Sequence, residues 1–157
     1  MLKKLSASGI VLILIGIAAF WHPSASSPTP LQRVFSRITT ATPAQEIGIN
    51  SADIIEATNK ERLLAGLPPL ATSTKLGSSA SLKVDDMISR QYFEHASPTG
   101  EGVSDLGARV GYDYVVMGEN LALGSFTSSD DIVQAWMASP GHKANILNTR
   151  YQDIGVS

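Results

Sequence analysis

From residue 50 onward the chain alternates helix-period segments with short β-prone ones, and no strand–helix–strand unit repeats along it. That order argues against a doubly wound parallel sheet and for an α+β fold. Asn50 or Ser51, with Asp53 in the following turn, predicts a helix start, because a side-chain oxygen caps free N–H groups and the helix dipole favours a carboxylate there. Ile54, Ile55, Thr58, Arg62 and Leu63 follow at helical spacing, and Gly66 supplies the stop. Leu67-Pro68-Pro69-Leu70 then forbids helix. The spacing predicts a second helix from Ser73 to Arg90. Its apolar stripe is Leu76, Ala80, Val84, Met87 and Ile88, with Lys83, Asp85, Asp86 and Arg90 assigned to the wet side. A short third helix is expected over Asp105–Val110, ending at Gly111, and a strand over Tyr112–Met117 leading into Gly118. Ser128 and Asp131, at capping-box-like spacing, open a fourth helix that Pro140-Gly141 closes, and Asp153–Ser157 begins a buried strand.

The N-terminus has a different character. Lys3 and Lys4 precede the apolar run Ile10–Phe20, and the uncharged stretch reaches from Leu5 to Trp21. A positive end before a short apolar region is an export pattern, and the stretch lies near the lower length limit of a spanning helix, with Trp21 suited to a membrane interface. The expected organisation is a signal peptide or N-terminal transmembrane anchor over 1–22, a Ser/Thr/Pro-rich linker over 23–49, and a folded domain over 50–157. An apolar patch at helical spacing, Leu31, Val34, Phe35 and Ile38, interrupts the linker. The domain is expected outside the cytoplasm, joined to the membrane through the N-terminal segment. A formal net charge of −2 without a basic block excludes a nucleic-acid partner. The chain has no cysteine, which excludes disulfides, thiolate metal sites and cysteine nucleophiles.

Three residues in turn-rich motifs are the candidates for a convergent polar site. His95 lies in Y-F-E-H-A-S-P, Glu119 in G-E-N-L-A, and His142 in A-W-M-A-S-P-G-H-K-A-N-I-L. All three are expected at element ends, where sites are usually built. Imidazoles suit zinc and related divalent cations, with a carboxylate as a further ligand or behind one of them. The spacing is wide and there is no H-E-x-x-H, so loop bracing by His95 and His142, and backbone bonding by Glu119, stand beside the metal reading. Asn120 is expected to brace a turn, and Trp136 to lie in the core. Ser139 and His142 lack a G-x-S-x-G elbow for serine hydrolysis, and Glu101 or Asp105 would have to partner Glu119 in a two-carboxylate glycosidase.

Together with N-K-E-R at 59–62 and D-I-G-V at 153–156, these ordered motifs resemble the CAP superfamily of SCP/PR-1-like domains, in its bacterial branch. The resemblance covers the chain from about Ile54 to its end. It implies a three-layer α-β-α sandwich with helices on both sides of an antiparallel sheet, and a C-terminal strand that is missing here. It also implies a cleft of two histidines and two acids, which in some members binds zinc or another divalent cation. His95, Glu119 and His142 match three of the four, with Glu119 reaching a metal directly or through water. The fourth position falls on Ser139, which lines the cleft with Asn120. The implied function is an exported or membrane-anchored module that binds a cell-envelope ligand, lipid or protein. The alternative is a metal-dependent, protease-like hydrolase with Glu119 as the catalytic general base.

Overall fold

The computed structural model describes residues 10–16 and 48–157. The expected linker, apart from its last two residues, lies outside the described residues, as do Lys3, Lys4, Trp21, His22 and the patch from Leu31 to Ile38. In chain order the elements are strand β1 (Ile10–Gly16), helix α1 (Ser51–Leu64), strand β2 (Ala71–Thr72), helices α2 (Thr74–Arg90) and α3 (Val103–Arg109), strand β3 (Met117–Leu123), helices α4 (Ser129–Ala138) and α5 (Pro140–Ile146), and strand β4 (Asp153–Val156).

The caps match the sequence rules. Asn50 Oδ1 accepts from Asp53 N at 2.9 Å, Ser73 Oγ from Leu76 N at 3.4 Å, and Ser128 Oγ from Asp131 N at 3.1 Å. Gly66 and Gly111 stop the chain after α1 and α3 with φ of 74° and 64°.

Three element boundaries differ from expectation; the smallest difference is α3, which starts at Val103 and not at Asp105. Tyr112–Val116 is not a strand, and the G-E-N-L-A-L segment itself forms β3. Alternation explains this: Leu121 packs with Leu76, Ala80, Met87 and Tyr112 against α2, whereas Ala122 joins Ile54, Ile132, Val133, Trp136 and Ile154 on the opposite face. Pro140-Gly141 does end α4, but Pro140 also opens α5, because a proline at the first helical position lacks an N–H that the helix would leave free anyway. His142 therefore stands in the first turn of a helix and not on a loop.

The sheet order is β2-β4-β1-β3. β1 runs antiparallel to both β3 and β4, whereas the two-residue β2 joins β4 in parallel, so the sheet is mixed and not wholly antiparallel. β4 is paired on both sides, with β1 and with β2. Ile10–Gly16, the first part of the N-terminal apolar run and rich in β-branched residues, forms the strand β1. Among the described residues no helix is long and apolar enough to cross a membrane. Helices α2 and α3 cover one face of the sheet and α1, α4 and α5 the other, giving an α-β-α sandwich. β4 packs on α2 so closely that a Cβ at Gly155 would meet the backbone of Leu76 and Gly77.

Two charged side chains are core residues. Arg62 is fully buried, and its guanidinium donates to Pro68 O at 3.0 Å, Ile146 O at 2.7 Å, Asn148 O at 2.9 Å and Tyr151 O at 3.4 Å, tying α1 to the segment after α5. Lys83, assigned from the sequence to the wet side of α2, is 1% exposed. It stands seven residues after Leu76 and four before Met87, so helical spacing places it on the buried stripe, and local partners satisfy its charge there.

Candidate functional site

The site forms where the turn after α2, strand β3 and the start of α5 meet. Gln91, in the left-handed conformation at φ 57°, ends α2 and turns the chain back, with Tyr92 N donating to Met87 O at 3.1 Å. Lys83 Nζ then holds the returning loop by donating to His95 O at 2.9 Å. Ser97 closes the loop, its Oγ accepting from Glu101 N at 3.0 Å and its own N–H donating to Glu101 O at 2.8 Å.

On β3, side chains alternate between the two faces. Glu119 shares the α2 side with Leu121, and Asn120 the α5 side with Ala122. His95 Nδ1 lies 2.7 Å from Glu119 Oε1. The two members differ in setting, since the imidazole is 67% exposed and the carboxylate side chain 3%. Burial raises the Glu119 carboxyl above its ordinary range, while the hydrogen bond from His95 and the charge of Lys83 pull it back. Glu119 Oε2 is buried without a hydrogen-bond partner, so the site holds an unused acceptor.

Asn120, fully buried, donates from Nδ2 to His142 O at 3.1 Å. The His142 ring stands 6.5 Å from the Trp136 ring, tilted by 57°. Burial, and then the charge of His95, lower its pKa below the ordinary imidazole range. Trp136 is core, with its indole N–H donating to Leu121 O at 2.9 Å. Ser139 caps α4 at one end and α5 at the other, and its carbonyl accepts from Lys143 N at 2.9 Å.

The structure thus joins His95 to Glu119 through side chains and ties the backbone carbonyl of His142 to β3 through Asn120. Glu101, weighed as a second acid, is ion-paired to Arg109 at 2.9 Å, and Asp105 accepts from Gly102 N at 2.8 Å, so both serve the loop and α3. Two contributors escaped the sequence reading. Lys83 is one, although its place on the apolar stripe was the available signal. Asn145 is the other: it lies in the quoted K-A-N-I-L run, and its amide bonds Glu119 O at 3.1 Å and Asn120 Oδ1 at 2.8 Å.

Among the described residues no three His, Asp or Glu side chains stand together to hold one ion, whereas zinc sites use three or four protein ligands. Glu119 engages His95 Nδ1, which leaves Nε2 as the free ring nitrogen.

Comparison with known proteins agrees with the fold and the motifs. The cysteine-rich secretory protein family, CAP, matches residues 55–157. The chain is 37% identical over 131 residues to an uncharacterized protein, YkwD, of Bacillus subtilis strain 168, covering 83% of this chain and 50% of that protein. It is 29% identical over 103 residues to an uncharacterized membrane protein, YlbC, of the same organism, covering 66% of this chain and 30% of that one. The chain thus spans half or less of the length of these curated relatives. An extracellular SCP-domain protein of Bacillus anthracis superposes with a TM-score of 0.63 at 30% identity, over 67% of this chain and 35% of that chain. An outer surface protein of Borrelia burgdorferi shares the fold with a TM-score of 0.59 at 20% identity, over 66% of this chain and 76% of that chain. With its sandwich, its ordered motifs and a family match over most of its length, the chain belongs to the CAP family of cysteine-rich secretory protein domains.

Proposed function

We propose that the chain is an extracytoplasmic CAP binding module whose His95–Glu119 pair recognises a hydroxyl- or amide-bearing ligand of the cell envelope. The observation that carries this reading is the polarity of the pair: an exposed imidazole backed by a buried carboxylate at 2.7 Å. With Glu119 ionised, Nδ1–H donates to it and Nε2 presents a lone pair to solvent, a ready acceptor for sugar hydroxyls and peptide N–H groups. Glycan-peptide wall polymer offers both. Ser139 at the fourth corner leaves the cleft without a second carboxylate to divide acid and base roles. The Lys3-Lys4 and apolar N-terminal pattern supports export, as does the chain's likeness to an extracellular protein, an outer surface protein and a membrane protein.

The same polarity favours one second reading, hydrolysis. Glu119, 6% exposed, is poorly placed to meet a water directly, so in that reading His95 moves the proton and Glu119 orients it. One experiment separates the two. The full chain is sedimented with isolated peptidoglycan, and the supernatant is assayed for released fragments and, separately, for cleavage of a labelled protein substrate. Retention that is lost in His95→Ala and kept in Glu94→Gln, without turnover, is expected. Equal retention of wild type and His95→Ala overturns the module reading. Turnover abolished by His95→Ala establishes the hydrolase, and metal content measured on the same sample tests for a bound divalent cation.

A further inference from the structure

We propose that Lys83 is the positioning residue of the recognition pair, holding the His95 loop so that the imidazole presents Nδ1 to Glu119 and its opposite edge to the ligand. The inference rests on the reading that His95 faces the ligand. It starts from a cost. An ammonium at 1% exposure gives up most of its hydration, and a methionine or leucine on the same stripe would avoid that. Packing alone therefore does not account for a lysine here.

Its contacts do. Nζ donates to His95 O at 2.9 Å and to Tyr92 Oη at 3.2 Å, and stands 4.9 Å from the centre of the Tyr92 ring. Tyr92 Oη in turn donates to Asp86 Oδ2 at 2.6 Å, and Arg90 Nε holds Asp86 Oδ1 at 2.8 Å. Asp86, Lys83 and Arg90 all come from α2, three or four residues apart, so they present their groups together at one end of a rigid element. The chain Arg90–Asp86–Tyr92–Lys83 thus transmits the position of a helix to a single loop carbonyl, that of His95. Without it, the His95 carbonyl would lose this hydrogen bond, and the exposed imidazole would be held by Glu119 and by the Ser97–Glu101 closure farther along the loop. Burial lowers the Lys83 pKa while the carboxylates of Glu119, Asp86 and Glu101 pull it back up, and Glu119 is itself buried with one oxygen unpartnered.

The test reads the imidazole and needs no ligand. The full chain is labelled with nitrogen-15, and the long-range proton–nitrogen spectrum of His95 is assigned by its loss in His95→Gln. Wild type is expected to show one tautomer, protonated at Nδ1. In Lys83→Met that signature is lost and the averaged pattern of Glu119→Gln replaces it, while the Trp136 indole proton, bonded to Leu121 O, reports that the sandwich is intact. Retention of the signature in Lys83→Arg supports the role. An unchanged His95 spectrum in folded Lys83→Met overturns it. Where Lys83→Met fails to fold, Tyr92→Phe decides, because it keeps the lysine and removes the hydroxyl that orients it: partial loss supports the inference, and a wild-type His95 spectrum overturns it. The peptidoglycan assay tests the ligand-facing reading of His95, and the imidazole spectrum tests Lys83, so the two fail separately.

Discussion

Asn145 donates through its side-chain amide to Asn120 Oδ1 at 2.8 Å and to the Glu119 carbonyl at 3.1 Å, and so fastens α5 to β3 beneath the site. Asn120 completes the arrangement by donating to His142 O. These side chains set the distance between the strand that carries Glu119 and the helix that carries His142. Asn120→Ala removes a donor and an acceptor from a fully buried position. The expected cost is about 1–3 kcal/mol, since the abandoned partners lose their bonds without regaining water. Urea unfolding measures it, and a change below the error of the fit would show that Asn145 and His142 find other partners.

Arg62→Met keeps the buried volume of α1 but leaves the carbonyls of Pro68, Ile146, Asn148 and Tyr151 without their shared donor. Hydrogen bonds to a charged group are the stronger kind, so a loss on the order of 3 kcal/mol is expected. Arg62→Lys should recover only part of it, because an ammonium has three donors and no planar fork. Thermal unfolding of the three proteins should rank them wild type, lysine, methionine.

Gly155→Ala should be among the most damaging small changes in the domain. The added methyl meets the backbone of Leu76 and Gly77, which cannot swing away as a flexible side chain would. β4 must then separate from α2, opening the packing around Leu76 and Ala80. Gly141→Ala is the control, since nothing lies near a Cβ there. Similar melting temperatures for the two variants would contradict the close approach of β4 to α2.

Glu119 gives stability a definite pH dependence. Its folded pKa is raised by burial above the value in the unfolded chain. Between those two values the folded state binds more protons, so stability falls as pH rises through the interval. Glu119→Gln lacks this contribution, and its stability relative to wild type should climb across the same interval. His142 works in the opposite sense: its lowered folded pKa means stability is lost as pH falls from the ordinary imidazole range through that value. Denaturant melts of wild type and Glu119→Gln from the carboxylate range to neutral pH test the first claim, and a constant difference would refute it.

Deleting residues 1–22 removes β1, which pairs with all of β3 from Met117 to Leu123 and all of β4. The facing edges of β3 and β4 would then lie open, and open edges recruit other chains. Loss of a cooperative melt and concentration-dependent aggregation are expected. A truncated chain that melts like the full one would show that the sandwich does without this strand, leaving the apolar run to the membrane.

Helices α1 to α4 were legible because their signals are local. Asn50, Ser73 and Ser128 cap them, Gly66 and Gly111 stop them, and each rule acts within a few residues. β3 was misplaced because Tyr112–Met117 has the more β-prone composition, whereas pairing with β1 and burial on two faces selected Met117–Leu123. His95, Glu119 and His142 were legible as chemical types, and the family motifs implied that they converge. Their division of labour was not. That Glu119 stands behind His95, while Asn120 reaches His142, follows from strand alternation at adjacent positions once β3 is in register.

The sequence by itself determined the starts and stops of α1, α2 and α4, the family and the identity of the three polar corners, because caps, turns and ordered motifs need no distant partner. The tertiary structure alone decided that Lys83 and Arg62 are core residues. Their charges read as solvent-facing until backbone carbonyls remote in sequence, those of His95, Ile146 and Asn148, are brought within hydrogen-bond reach and compensate the lost water.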